Sequence, residues 1–219
     1  RAMADAFIQE RELFPPLTPF QSGFLKRNKH EIYYEQCGNR SGQPVLFLHG
    51  GPGAGTAPAH RRLFDPKRFH VVLFDQRGCG QSRPYASLDD NSTDLLIDDV
   101  EALRQSLGID KFILFGGSWG STLALAYAIA YPECVSGLIL RGIFLGTRPE
   151  VDWFLHDMGR FFPEAYERFI GHLDPGERIN LLTSYFNRLV DSDPAVHQKA
   201  AEAWASYETS CSTLRAGDR

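Results

Sequence analysis

"FGGSWGS", residues 115–121, is the stretch on which the fold turns. It stands between an apolar run, Lys111 to Leu114, and "TLALAYAIAY", residues 122–131, which has helical composition. Gly116, Gly117 and Gly120 surround Ser118 and fit G-x-S-x-G. In a turn of that kind a serine sits at a sharp, strained passage from strand to helix. Glycines flank it because side chains there would strike the facing helix and strand. The hydroxyl then points out of the carboxyl end of a sheet, where open α/β sheets bind ligands. The helix that follows aims the positive end of its dipole at the same place. The competing reading is a tight structural turn with a bystander serine.

Working outward, four apolar runs stand out: Val45 to Leu48, Val71 to Phe74, Lys111 to Phe115, and Val135 to Leu140. None alternates cleanly, which is how strands buried on both faces of a parallel sheet read. Between the second and third lies "NSTDLLIDDVEALRQSLGID". Its Leu96, Val100, Leu103 and Leu107 share one helical face, Asn91 or Ser92 can cap its start, and Gly108 can close its end. Strands alternating with helices predict an α/β fold with a mostly parallel sheet. "GFLKRNKHEIYYEQCGNRSG" predicts an antiparallel hairpin at the sheet edge, turning at Asn28 and at Gly38-Asn39. After residue 147 the pattern becomes helical and aromatic-rich, with a helix expected to begin near Asp193-Pro194. Two regions follow: residues 1–147 as the sheet-bearing core and 148–219 as a helical addition over it.

The 219 residues are 43% hydrophobic and 23% charged, with a formal net charge of -4. These are the values of an ordinary globular protein. They offer no basic face for nucleic acid, and no apolar run long enough to span a membrane. The first residues, "RAMADAFIQERELF", lack the basic start and apolar core of a secretory leader. Cys37, Cys79, Cys134 and Cys211 are scattered, with no CxxC pair. They read as free, mostly buried thiols in a reducing compartment, hence a cytoplasmic location.

Two further motifs leave strand ends. His49-Gly50-Gly51-Pro52-Gly53 follows the first buried run. Acyl transfer needs backbone N–H groups aimed at a developing oxyanion, and a glycine-rich loop supplies one. The residue after the nucleophile, Trp119, supplies the other. Phosphate cradling is disfavoured, because Thr56 stands where a third glycine belongs and no Walker lysine follows. Asp75-Gln76-Arg77-Gly78-Cys79-Gly80-Gln81-Ser82 ends the second run. Asp75 and Arg77 there read as braces of the surrounding loops.

Taken together, "LFLHGGPGAG", "FDQRGCGQSRP", "NSTDLLIDDVEALR", "FGGSWGSTLALAYA" and "LILRGIF" resemble the proline iminopeptidases, which are α/β-hydrolases of the serine peptidase type. The likeness runs from about residue 15 to the end. It implies an α/β-hydrolase fold with a helical cap, no cofactor and no metal, and small peptides with an N-terminal proline as substrates. Oligomeric state is left open. Residue by residue, it implies that Ser118 is the nucleophile and that the Gly51 and Trp119 amides form the oxyanion hole. Phe144 lines the proline-ring pocket. "AWASYE" matches a cap segment written W-x-x-W-E, whose glutamate holds the free imino group, here Glu208. Tyr207 stands in place of the second tryptophan.

A serine needs a general base, and the base an orienting carboxylate. His156, His172 and His197 follow Ser118 but fall in helical sequence. His49 precedes it in the glycine-rich loop, and His30, His60 and His70 precede it as surface or loop residues. The resemblance implies that the catalytic aspartate and histidine lie after the cap. They are thus expected beyond residue 219, with the chain corresponding to an N-terminal portion that turns over little by itself. An esterase or amidase with the same elbow, and a non-catalytic binding protein of this fold, are the alternatives. Dehalogenases and most epoxide hydrolases are disfavoured, because they place an aspartate where Ser118 stands.

Overall fold

The computed structural model describes residues 12–212. The leader reading of the first residues therefore lies largely outside the described residues. The chain divides into two compact units between Leu145 and Gly146.

The first unit carries a six-stranded sheet in the order β1-β2-β4-β3-β5-β6. Strands β1 (Gln21–Arg27) and β2 (His30–Gly38) form an antiparallel hairpin. Asn28 turns it at a positive φ of 53°, a conformation asparagine adopts at lower cost than most residues. β2 joins β4 (Phe69–Phe74) antiparallel, while β3 (Gln43–Leu48), β5 (Phe112–Ser118) and β6 (Val135–Ile143) run parallel. Helices α1 (Thr93–Ser106) and α2 (Trp119–Ala130) connect the parallel strands. The mostly parallel α/β reading of the sequence is thus the observed fold.

The lack of alternation in the strands has a direct cause. Leu46, Leu48, Val72 and Phe74 face α1 and α2, packing with Leu96, Val100, Leu103, Leu123 and Tyr127. Val45, Phe47, Val71 and Leu73 face the other way, onto Phe64 and Phe115. Both faces are covered, so every position is apolar. The two helices are also tied by a polar contact. The Tyr127 hydroxyl donates to Glu101 at 2.7 Å, and Arg104 grips the same carboxylate at 2.7 and 2.9 Å. The Arg104 hydrogen bonds hold the Glu101 carboxyl down at about 2.

Two local expectations change. β6 resembles a buried strand in composition, yet Leu138, Ile139 and Ile143 are exposed. It pairs only with β5 and forms one edge of the described sheet. Ser92 is the N-cap of α1, but its side chain makes no capping bond. The Asn91 amide instead donates to the carbonyls of Arg77 and Ser87, spending its polar group on the neighbouring loop.

The second unit contains α3 (Arg148–Leu155), α4 (Pro163–Gly171), α5 (Leu181–Leu189) and α6 (Pro194–Ser212). α6 begins with proline at the position the sequence predicts. Phe169 sits at the centre of this unit, stacked on Tyr185 at 4.4 Å and on Tyr207 at 4.3 Å. The hydroxyls of both tyrosines find main-chain acceptors, at Phe169 and Phe154 respectively. Buried tyrosine requires such an outlet for its polar end. No described helix is long and apolar enough to cross a membrane. The four cysteines are free thiols; Cys37, Cys79 and Cys134 are buried and Cys211 half-buried.

Candidate active site

Ser118 ends β5 and caps α2 with φ 53° and ψ -125°. A non-glycine residue there is strained, by roughly 1–3 kcal/mol. The strain is held by close packing on both sides. A Cβ on Gly116 would overlap the Gly120 carbonyl, and a Cβ on Gly120 would overlap the Leu48 carbonyl. Backbone therefore meets backbone where strand, helix and β3 converge. Ser118 itself is exposed. Its neighbour across the gap is the loop after β3. A Cβ built on Gly50 would lie 3.4 Å from Ser118 Cβ, so the two segments touch.

That loop is locked in place by hydrogen bonds. His49 is 2% exposed, and its Nε2 accepts from the Gln76 amide at 3.0 Å. Nε2 therefore carries no proton, and Nδ1–H donates to the Gly50 carbonyl at 2.9 Å. Burial lowers the His49 pKa, keeping the ring neutral. The Gln76 side chain donates to the His49 carbonyl and accepts from the Trp119 indole N–H, both at 2.9 Å. One glutamine thus couples the loop carrying Gly51 to the residue that follows Ser118. Asp75 fastens the far end of the loop, accepting from Thr56 N and Oγ1 at 2.7 and 2.8 Å, and from Gln81 N at 2.8 Å. Arg77 is clamped by Asp99 at 2.6 and 2.8 Å, with Arg27 on the same carboxylate at 2.9 Å. Asp75 and Arg77 brace loops, as their sequence context predicts.

Gly51 has φ +114°, and among the described residues neither its N–H nor that of Trp119 serves a turn or loop carbonyl. Trp119 opens a helix, so its N–H has no carbonyl one turn behind it. On the other side of β5, Phe144 follows β6 and is half-buried. Ser121 Oγ donates to the Ser118 carbonyl at 2.6 Å and accepts from Phe144 N at 3.0 Å. Thr122 Oγ1 donates to the Phe144 carbonyl at 2.6 Å. The first turn of α2 therefore holds both Ser118 and Phe144.

Glu208 lies on α6 in the second unit, exposed, beside a fully packed Tyr207. Surrounding protein still pushes its carboxyl above the ordinary value, with desolvation as the cause. Because the group is open to water, that shift carries no stability argument.

Gln76, Ser121 and Thr122 were not singled out by sequence reasoning. All three stand inside quoted motifs, but only tertiary contacts reveal what their side chains join. No described histidine is hydrogen-bonded to Ser118. In neutral His49 both nitrogens are engaged. His60 Nδ1 accepts from Ala57 N at 3.0 Å, and its ring stacks on Phe47. His70 is bonded to Gln36 and His30 to the Asp89 carbonyl. His197 bonds to the Asp191 carbonyl within the second unit.

A parallel sheet with a strained serine between β5 and α2, facing a glycine-rich loop from β3, defines a hydrolase framework. Residues 43–213 match the family model described as "alpha/beta hydrolase fold", and the chain belongs to that family. It is 48% identical over 206 residues to a probable proline iminopeptidase of Leptolyngbya boryana, covering 93% of this chain and 64% of that relative. It is 46% identical to the proline iminopeptidase of Arabidopsis thaliana, covering 97% and 57%, and 49% identical to that of Xylella fastidiosa strain Temecula1, covering 92% and 66%. The chain therefore spans between 57% and 66% of the length of these curated relatives. Among solved structures it resembles VinJ, with a TM-score of 0.57 at 22% identity, covering 92% of this chain and 73% of that one. It also resembles the proline iminopeptidase of Mycobacterium smegmatis, with a TM-score of 0.56 at 23% identity, covering 87% and 68%. At such identities these two likenesses concern the fold.

Proposed function

We propose that these residues carry the nucleophile and oxyanion donors of a serine exopeptidase that releases N-terminal proline from small peptides. The observation that carries this reading is the strained, exposed Ser118 at the β5–α2 junction, in touch with the loop that bears Gly51. The names of the relatives, at 46% to 49% identity, support the proline specificity.

In this reading Ser118 Oγ attacks the proline carbonyl carbon and the Gly51 and Trp119 N–H groups receive the developing negative charge. A histidine takes the serine proton and delivers it to the departing amine, which leaves an acyl-enzyme that water hydrolyses. Phe144 packs the pyrrolidine ring. By sequence resemblance alone, Glu208 balances the protonated imino group, and the α-helical second unit is part of a cap. The hydrogen bonds of His49 and His60 occupy the nitrogens a base would need, which supports an aspartate and histidine supplied from beyond residue 219. The free thiols of Cys37, Cys79, Cys134 and Cys211 suit a cytoplasmic peptidase.

The test uses the complete protein that contains these residues. Proline β-naphthylamide should be turned over far faster than a p-nitrophenyl ester, and Ser118→Ala should abolish it. Unchanged turnover in Ser118→Ala would remove the nucleophile assignment. Preference for the ester would move the reading to an esterase of the same family.

A further inference from the structure

The first unit contains a cavity that has no part in the mechanism above. It measures about 450 Å³, within the range of small-ligand clefts. Part of its wall is Pro52 and Gly53, from the loop after β3, together with Trp119, which opens α2. Another part is Tyr85 and Leu88, from the segment between β4 and α1. Trp119 adjoins Ser118, at ~3.8 Å between consecutive Cα atoms, so the cavity begins one residue from the proposed nucleophile.

Three observations bear on what this cavity takes. Apolar surface is available in it, because Tyr85 is 77% exposed, Leu88 is 71% exposed and Pro52 is exposed. The segment that presents Tyr85 and Leu88 is also firmly fastened. Glu31 and Arg83 exchange main-chain hydrogen bonds at 2.9 Å, and Ala86 N donates to the Gly78 carbonyl at 2.9 Å. The Asn91 amide donates to the Ser87 carbonyl at 3.2 Å, and His30 Nε2–H donates to the Asp89 carbonyl at 2.9 Å. Ala86 and Asp90 take positive φ values of 55° and 47°. Backbone of that kind persists only where its surroundings enforce it, and a preformed apolar wall binds without an ordering cost. The third observation is electrostatic. Arg77 is the charged residue of the lining, and its guanidinium is spent on Asp99 at 2.6 and 2.8 Å. The cavity therefore offers apolar contact and no free charge.

Its place along the sheet decides which part of a peptide enters. Ser118 ends β5. Phe144 follows β6 on one side of it, and the cavity lies among the segments after β3 and β4 on the other. The acyl part and the departing amine extend from an attacked carbonyl carbon in different directions. With proline against Phe144, the departing part points towards the cavity. We infer that this cavity is the subsite for the residue that follows the N-terminal proline, and that Tyr85 and Leu88 select a large apolar side chain there. The inference rests on the peptidase reading and adds a second specificity element to it.

The test compares prolinamide, prolyl-glycinamide, prolyl-leucinamide and prolyl-phenylalaninamide as substrates of the complete protein that contains these residues. kcat/KM for the leucine and phenylalanine compounds should exceed that for the glycine compound at least about tenfold, as covering a side chain of that size provides. In the double variant Tyr85→Ala, Leu88→Ala the ratio should fall below about threefold. Its circular dichroism spectrum should not change, because both side chains are largely exposed. Equal kcat/KM for the glycine and leucine compounds overturns the subsite and leaves the peptidase reading standing. So does a double variant that keeps the full ratio. Release of proline from none of these amides brings down the peptidase reading, and the subsite with it.

Discussion

The two flanks of Ser118 within the first unit are built differently. Towards β3 and β4, side chains are buried and saturated with hydrogen bonds: His49, Asp75, Gln76, Arg77 and Asp99 are each at most 2% exposed. Towards β6, the strand is an edge, apolar side chains meet water, and the polar anchoring is reduced to Ser121 and Thr122 holding Phe144. The difference teaches where precision is demanded. The proposed oxyanion donors would have to be fixed to a fraction of an ångström, and a low-dielectric network of satisfied bonds does that.

The sharpest way to break the locked flank is Asp99→Ala. It leaves Arg77 buried and uncompensated, and should lower the stability of the first unit by about 3–5 kcal/mol in urea unfolding. Gly120→Ala should follow, at about 3 kcal/mol, because its Cβ would overlap the Leu48 carbonyl and no side chain can yield. Its counterpart on the open flank is Gly137→Ala. The new Cβ there would meet only Ile113 Cγ1, at 3.9 Å, so the change should cost under about 0.5 kcal/mol. If the two alanines cost the same, the contrast between flanks is wrong.

Gln76→Ala should cost about 1–3 kcal/mol, since it strands the His49 carbonyl and the Trp119 indole N–H together. On the proposed mechanism, in the complete protein, it should lower kcat more than it raises KM, because it loosens the proposed oxyanion donors rather than the proposed proline pocket. A fall in affinity with kcat preserved would separate Gln76 from the oxyanion loop.

Acid provides a further test. Burial lowers the pKa of His49, His60 and His70, all in the first unit. The unfolded chain binds protons at these sites below the ordinary value of 6.5, whereas the folded chain does not. Their neutral forms therefore support folding above pH 6.5, and that support is lost as pH falls through the lowered values. The thermal midpoint should drop between pH 7 and pH 5, and the drop should shrink in His70→Gln. The smallest effect belongs to the open edge. Ile139→Lys should change the stability of the 219-residue chain in urea unfolding within about 0.5 kcal/mol, because Ile139 is 46% exposed.

Much of this was legible from residues alone. Three of the four apolar runs mark β3, β4 and β5 because burial on both faces leaves no alternation to misread; the fourth marks β6, which is apolar without being buried. "FGGSWGS" locates the elbow because the convergence of β5, α2 and β3 admits no side chain at Gly116 or Gly120. Asp193-Pro194 marks the start of α6, since proline suits only a first turn. The composition of β6, Val-Ser-Gly-Leu-Ile-Leu, does not by itself separate an edge strand from a central one. The task of Gln76 was not legible, because its partners His49 and Trp119 lie 27 and 43 positions away in sequence.

By itself the sequence determined the elements, their parallel arrangement and the identity of the exposed serine, since these follow from periodicity and from where glycine is required. Only the tertiary structure decided which polar side chains are locks. It made His49 a neutral strut that holds a loop, with both ring nitrogens spent. A hydrogen bond joins groups distant in the chain, and local sequence carries no record of which partner the fold will bring within 3 Å.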